Sequence, residues 1–117
     1  MDEDTLLMTM LFDFFGDMLT EKQREYFDLY HNEDLSLSEI AEKAGISRQG
    51  VYDIIARAEK TLVDIEQKTG IVKKWRENRI ELERAEEMAK KLQNLSKKGE
   101  AATLAKELAL TIEACKF

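Results

Sequence analysis

Apolar residues recur every three or four positions along most of the chain, the spacing that places side chains on one side of an α-helix. Glycine or polar residues break this spacing at five places and so separate six predicted helices. The breaks lie near Gly16, at 31–34, at Gly45, at Thr69-Gly70 and at 96–99. With 5 Gly and no Pro in 117 residues, the turn residues that β architectures need are scarce. We therefore expect an all-α protein.

Three predicted helices begin at residues that cap helix N-termini. Thr20 with Gln23, and Ser36 with Glu39, have the three-residue separation of a capping box. Ser47 is a third N-cap. Before them, the first helix has apolar residues around most of its circumference, so we expect burial on more than one side. These residues are Leu6, Leu7, Met10, Leu11, Phe14 and Phe15; the apolar stripe of the second helix is Tyr26, Phe27, Leu29 and Tyr30.

Residues 37–57 fit a helix-turn-helix. Ala41 is the small residue needed where two helices cross, and Gly45 tolerates the positive φ of the corner. Ser47 caps the second helix. The apolar residues expected to hold the two helices together are Ile40, Ile46, Val51 and Ile54.

The second helix of this motif, about 47–60, carries the candidate nucleic-acid contacts. Arg48 and Gln49 lie in its first turn, where a recognition helix meets base edges, and both side chains can make bidentate contacts. Tyr52 is suited to stacking on a base or bonding a phosphate. The full candidate set is Lys43, Ser47, Arg48, Gln49, Tyr52, Arg57 and Lys60.

Two residues in the same helix complicate this interpretation. Asp53 stands on the face that would enter a groove and would repel phosphates unless it accepted a hydrogen bond from a cytosine amino group. Gly50 costs roughly 1 kcal/mol of helix propensity. Either a ligand approaches closely at Gly50, or another helix crosses there.

Charge is distributed unevenly along the chain. Residues 1–35 contain 10 acids and 2 bases, 36–66 contain 6 acids and 4 bases, and 67–117 contain 8 acids and 12 bases. An anionic partner should therefore meet the middle or the C-terminal part.

The C-terminal part is predicted to be a helical arm, with one helix from about 72 to 95 and a last helix to about Cys115. A heptad-like spacing predicts either a homodimer seam or packing within one chain. We call this the heptad seam: Ile71, Trp75, Asn78, Leu82, Ala85, Ala89 and Leu92. A secondary basic cluster beside Trp75 is either a solvated face or a contact for RNA backbone: Lys73, Lys74, Arg76 and Arg79.

The sequence offers no set of residues for catalysis, a cofactor or a metal. His31 is the only histidine and is expected to be a surface or capping group, and Cys115 is the only cysteine. The apolar run 6–15 has no basic segment before it, contains Asp13 and is too short to cross a bilayer. We expect a non-enzymatic cytoplasmic protein without membrane insertion.

Two resemblances concern the helix-turn-helix. SLSEIAEKAGIS (36–47) and ARAEKTL (56–62) resemble region 4 of bacterial sigma factors. LFDFFGDMLTEKQREYFDLYHNEDLSLSEIAE (11–42) and GISRQGVYDIIARAEKTL (45–62) resemble the YlxM-like helix-turn-helix proteins of Gram-positive bacteria. These resemblances imply a sigma region 4-like domain over 1–70 followed by a helical arm over 71–117.

The YlxM-like resemblance also implies a role in the signal recognition particle pathway. In this hypothesis the chain is an accessory or regulatory protein that binds the particle's RNA or its GTPase. A DNA-binding transcription regulator using Arg48, Gln49 and Tyr52 is the alternative. A third hypothesis is a protein-interaction module whose acidic N-terminal third supplies the contact surface.

Overall fold

The computed structural model describes residues 3–96 and 98–116; most of these residues are helical, and none of them forms a strand. The all-α prediction is confirmed. A 3-10 turn, Gly16–Met18, follows the first helix. Lys97, in the predicted break at 96–99, lies outside the described residues. The helices are α1 (Glu3–Phe15), α2 (Glu21–His31), α3 (Leu37–Ala44), α4 (Arg48–Thr69), α5 (Ile71–Ser96) and α6 (Glu100–Ala114).

The predicted N-caps are confirmed. The hydroxyls of Thr20 and Ser36 accept hydrogen bonds from the backbone N–H three residues on, and the side chains of Gln23 and Glu39 complete both capping boxes. The Ser47 hydroxyl accepts from the N–H of Gly50 at 2.9 Å. These helix starts depend on contacts only three residues apart, so local sequence is enough to specify them.

The capping box of α3 makes stability pH-dependent. The backbone N–H of Ser36 donates to Glu39 Oε1 at 3.0 Å and, followed by the Ser36 side chain, lowers the pKa of Glu39 from its ordinary 4.5. Because the folded pKa lies below the unfolded one, the stabilisation is complete above 4.5 and is lost as pH falls through the folded pKa.

We therefore expect wild type to be more stable than Glu39→Gln at neutral pH, with the difference shrinking as the pH falls below 4.5. Urea unfolding followed by circular dichroism measures it. Glu42→Gln removes a negative charge from an exposed position of the same helix and is the matched control. A difference between wild type and Glu39→Gln that does not change with pH would contradict the prediction.

The chain divides into two compact units, one ending at Val72 and the other beginning at Lys73. In the first unit α1, α2 and α3 each pack against α4. One buried cluster joins α1, α2, α4 and the start of α5: Leu11, Phe15, Leu19, Phe27, Ala58, Leu62 and Val72. A second cluster joins α2 and the helix-turn-helix: Tyr26, Ile40, Ala41, Val51 and Ile55. Since α4 contributes to both, it is the central element of the unit.

The burial of α1 is narrower than its sequence indicates. Leu11 and Phe15 are buried, and Leu7 and Met10 pack partly against the first cluster. Leu6 and Phe14 are 43% and 39% exposed, so the predicted burial does not extend to these two residues. Helical spacing shows which residues share a side, whereas the number of covered sides depends on the neighbouring helices.

His31 also differs from its prediction. It ends α2, is mostly buried, and its Nε2 lies 2.8 Å from Oε1 of Glu59 on α4. Its ring lies 4.3 Å from that of Phe27. Rather than a surface or capping group, it is a polar contact between two helices that are distant in sequence.

The second unit contains the remainder of α5 and all of α6, which turn back on each other as a helical hairpin. Lys116, just beyond α6, places its Nζ 3.2 Å from Oε2 of Glu86 in the middle of α5. Among the described residues of this unit, the buried apolar side chains are Ala89, Ala105 and Ile112.

Candidate nucleic-acid interface

The turn of the helix-turn-helix is built as predicted. Gly45 has φ 72° and its N–H donates to the carbonyl of Ala41 at 2.9 Å, with Ile46 N–H donating to the same carbonyl at 3.2 Å. Ala41 and Val51 are buried, at 8% and 0% exposure. The start of α4 is therefore held in a defined direction relative to α3.

Ile46 is an exception within this turn. It was expected to hold the two helices together, but it is 39% exposed, so that prediction is wrong. Ile54 is half-buried and packs against the second cluster as expected. An exposed isoleucine beside Ser47 and Arg48 adds an apolar contact to this surface. The apolar pattern around Ile46 did not indicate its exposure, because the corner at Gly45 changes the direction of the chain.

All seven candidate contact residues have exposed side chains. Ser47, Arg48, Gln49 and Tyr52 lie together at the N-terminal end of α4, where backbone N–H groups also favour an anion. Lys43 lies in the last turn of α3, on the other side of the corner. Lys60 is twelve residues beyond Arg48, about 18 Å along the helix, with Arg57 between. The structure thus groups five of the seven around the corner and leaves Arg57 and Lys60 farther along α4.

Asp53 is engaged by a neighbour on its own helix. Gln49 Nε2 donates to Asp53 Oδ1 at 2.9 Å. Both residues are exposed and lie opposite the buried face marked by Val51. The bond fixes the orientation of the Gln49 amide and leaves its Oε1 directed away from Asp53, able to accept a hydrogen bond.

The surroundings of Gly50 do not match the crossing of another helix, one of the two interpretations of its sequence. A Cβ there would lie 3.1 Å from Ser47 Oγ and 3.6 Å from Ile46 Cδ1. The close neighbour is the cap of the same helix, and the crossing of the two helices is elsewhere, at Ala41 and Val51.

The secondary basic cluster is not one open patch. Lys73 and Lys74 are exposed, whereas Arg76 and Arg79 are half-buried. The Arg79 guanidinium lies 5.6 Å from the centroid of the Trp75 ring, and its Nε is 3.5 Å from Oε1 of Glu83. Arg79 is therefore already engaged by an aromatic ring and a carboxylate.

The heptad seam is likewise divided by the structure. Ala89 is 2% exposed in the single chain and is closed to another copy. Ile71, Asn78 and Leu92 are exposed, and the others, Trp75, Leu82 and Ala85, are half-buried. The seven positions are not one continuous open surface.

The described residues contain neither a metal-binding group nor a membrane-spanning helix. Across 3–96 and 98–116, no group of three or more His, Cys, Asp or Glu side chains is arranged to hold a metal ion. Cys115 is exposed as a free thiol. Within the part of the chain that the structure describes, none of the helices combines the length and apolar character that a bilayer crossing requires.

Comparison with known proteins agrees with this geometry. The family described as "Putative helix-turn-helix protein, YlxM / p13 like", UPF0122, matches residues 2–106. The chain belongs to the UPF0122 family. The YlxM-like resemblance read from the sequence is confirmed.

Relatives of this family are similar over much or nearly all of their length. A UPF0122 protein of Thermoanaerobacter sp. (strain X514) is 42% identical over 113 residues, 97% of each chain. One from Caldanaerobacter subterraneus subsp. tengcongensis is 51% identical over 87 residues, 74% of each chain. Another, from Halalkalibacterium halodurans, is 49% identical over 80 residues, 68% of this chain and 72% of the relative.

Proposed function

We propose that this UPF0122 protein binds nucleic acid through the corner of its helix-turn-helix. The observation that carries the proposal is the group of exposed side chains at the start of α4: Ser47, Arg48, Gln49 and Tyr52. They stand on a helix whose opposite side is buried by Val51 and Ile55. Because packing fixes the helix that carries them, these side chains need less ordering on binding than side chains on a mobile segment would.

Each side chain in this group has a distinct role in the proposal. Arg48 donates to a guanine edge or a phosphate, and Gln49 donates and accepts at an adenine edge. Tyr52, 53% exposed, offers an aromatic face on which a base stacks. Lys43 and the N-terminus of α4 neutralise phosphate and set the register.

The setting that we propose is the signal recognition particle pathway, with the particle's RNA as the nucleic acid. The resemblance to YlxM-like proteins supports the pathway. Charge supports a composite target, because 4 bases against 6 acids in residues 36–66 give few phosphate contacts on a duplex alone. In a ribonucleoprotein, the particle's GTPase supplies further contacts.

A DNA-binding regulator is the second candidate. The position of Arg48 and Gln49 in the first turn of the second helix favours it, since this turn meets base edges in a major groove.

We also propose that the protein is a homodimer. Two copies would present two such turns to one nucleic acid and double the phosphate contacts.

We expect Arg48→Ala to weaken binding to its nucleic acid by about 5- to 100-fold, because a bidentate or phosphate contact is lost. Fluorescence anisotropy with labelled particle RNA and with random duplex DNA, each at several salt concentrations, measures it. Arg24→Ala is the matched control, since Arg24 lies in the acidic third and pairs with Asp17 at 3.0 Å.

The outcomes separate the hypotheses. Tighter, salt-dependent binding to the RNA supports the particle factor, and tighter binding to duplex supports the regulator. If wild type shows salt-dependent binding to neither the RNA nor the duplex, both the particle-factor and the regulator hypotheses are contradicted. If instead Asp13→Lys weakens capture of the particle's GTPase while Arg48→Ala does not, the acidic interaction module replaces them.

A further inference from the structure

The α5–α6 hairpin has one edge closed by ion pairs. Lys116 Nζ lies 3.2 Å from carboxylate oxygens of both Glu86 and Glu113. Lys90 Nζ lies 3.6 Å from the other oxygen of Glu86. These four residues link the two helices along one side of the buried Ala89 and Ala105. The charged groups on this edge are therefore paired with one another within the chain.

The other edge of the hairpin is apolar and exposed. Five large side chains lie roughly 60–120° round their helices from Ala89 and Ala105, in the rotational sense opposite to the ion pairs. In two antiparallel helices, side chains rotated by the same angle in the same sense from the facing residues lie at the same edge. The apolar side chains of α5 and α6 therefore share one edge of the hairpin. This apolar edge consists of Met88, Leu92 and Leu95 on α5, exposed by 58%, 49% and 82%, and Leu104 and Leu108 on α6, exposed by 66% and 47%.

A contiguous set of large apolar side chains on a small chain marks an interaction surface. The charges that border it identify the occupant. On α5, Arg84 and Lys91 flank the apolar edge, and on α6, Glu100 and Glu107 flank it, all four exposed. One border is basic and the other is acidic, both roughly 140–160° from the buried residues.

We propose that a second copy of this chain packs on the apolar edge, hairpin against hairpin, as a four-helix bundle. A two-fold axis along the helices sets α5 of each copy opposite α6 of the other, so each basic border meets an acidic one. A self-complementary surface of this kind fits another copy better than a partner of one charge. The assignment rests on the homodimer proposed above and gives it a surface.

This surface differs from the heptad seam. Ala89, in the middle of the seam, is closed within the chain, and Leu92 is the one residue common to both sets. The apolar edge also uses α6, which the heptad seam does not.

Multi-angle light scattering of the full chain across micromolar concentrations tests the proposal. Wild type should reach twice its 13.6 kDa. Leu92→Glu and Leu104→Glu should each raise the dimer dissociation constant by at least about tenfold. Ile80→Glu and Leu110→Glu are matched controls on the same helices, since these residues are 64% and 63% exposed but lie off the apolar edge, and they should leave it unchanged.

A charge exchange tests the orientation. A variant with Arg84→Glu and Lys91→Glu has two acidic borders, and one with Glu100→Lys and Glu107→Lys has two basic borders. Each alone should be monomeric, and an equimolar mixture should form heterodimers, seen by native mass spectrometry. Circular dichroism of each variant confirms that α5 and α6 remain folded.

The results distinguish the two proposals. If wild type stays monomeric at all these concentrations, both the homodimer and its surface are overturned. The same holds if another protein is found to bind the apolar edge of a monomeric chain. A dimer that survives Leu92→Glu and Leu104→Glu overturns the surface and leaves the homodimer standing. Failure of the mixed charge variants to associate overturns the arrangement of α5 opposite α6.

Discussion

Phe27→Ala is expected to lower the free energy of unfolding of the first unit by about 3–5 kcal/mol. Phe27 is fully buried, and its ring stacks on that of Phe12 with centroids 4.6 Å apart. Truncation removes this stacking, the contact with His31 and the burial of a whole ring, and the helices around it cannot close the cavity without moving. A domain of this size has only about 5–15 kcal/mol of stability.

Urea unfolding followed by far-ultraviolet circular dichroism measures the Phe27→Ala effect. Tyr52→Ala is the control, because this aromatic residue is 53% exposed on α4 and its removal should change stability by about 0.5 kcal/mol or less. Equal effects of the two substitutions would mean that α1, α2 and α4 do not pack around Phe27 as described.

Ile40→Ala is expected to lower the free energy of unfolding by about 2–5 kcal/mol. Ile40 is fully buried in the cluster that joins α2 to the helix-turn-helix, beside Val51 and Ile55. Because this cluster holds α4 in its direction relative to α3, we also expect weaker binding to nucleic acid than stability alone explains, measured below the unfolding transition.

Ile46→Ala is the matched control for Ile40→Ala. It removes the same atoms from the same motif, but Ile46 is 39% exposed and its truncation should cost about 1 kcal/mol or less. If Ile46→Ala destabilises as much as Ile40→Ala, the corner is packed in the way the sequence pattern indicated and not as the structure has it.

The helix boundaries and the corner at Gly45 were predictable because short-range chemistry specifies them. A serine or threonine cap accepts a hydrogen bond from an N–H three residues on, as at Ser36 and Ser47. Gly45 takes a left-handed conformation that other residues adopt at a cost. The exposure of Arg48 and Gln49 also followed from the sequence, since Val51 marks the opposite side of the helix.

The errors arose where a residue's surroundings come from a distant part of the chain. Periodicity ranked Ile46 with Ile40 and Phe14 with Phe15, yet the structure buries one of each pair and exposes the other. The contact between His31 and Glu59 joins residues 28 apart, and no local pattern indicates it.

Local sequence was enough to predict where the helices begin and end, the corner between α3 and α4, and the family. Each of these depends on neighbouring residues or on a recognisable string. The packing of the helices was needed to show which apolar residues are covered, that His31 contacts Glu59, and that the α5–α6 hairpin has one edge closed by ion pairs and one left apolar. Burial is a property of pairs of elements, so it follows from how helices pack and not from the periodicity of any one of them.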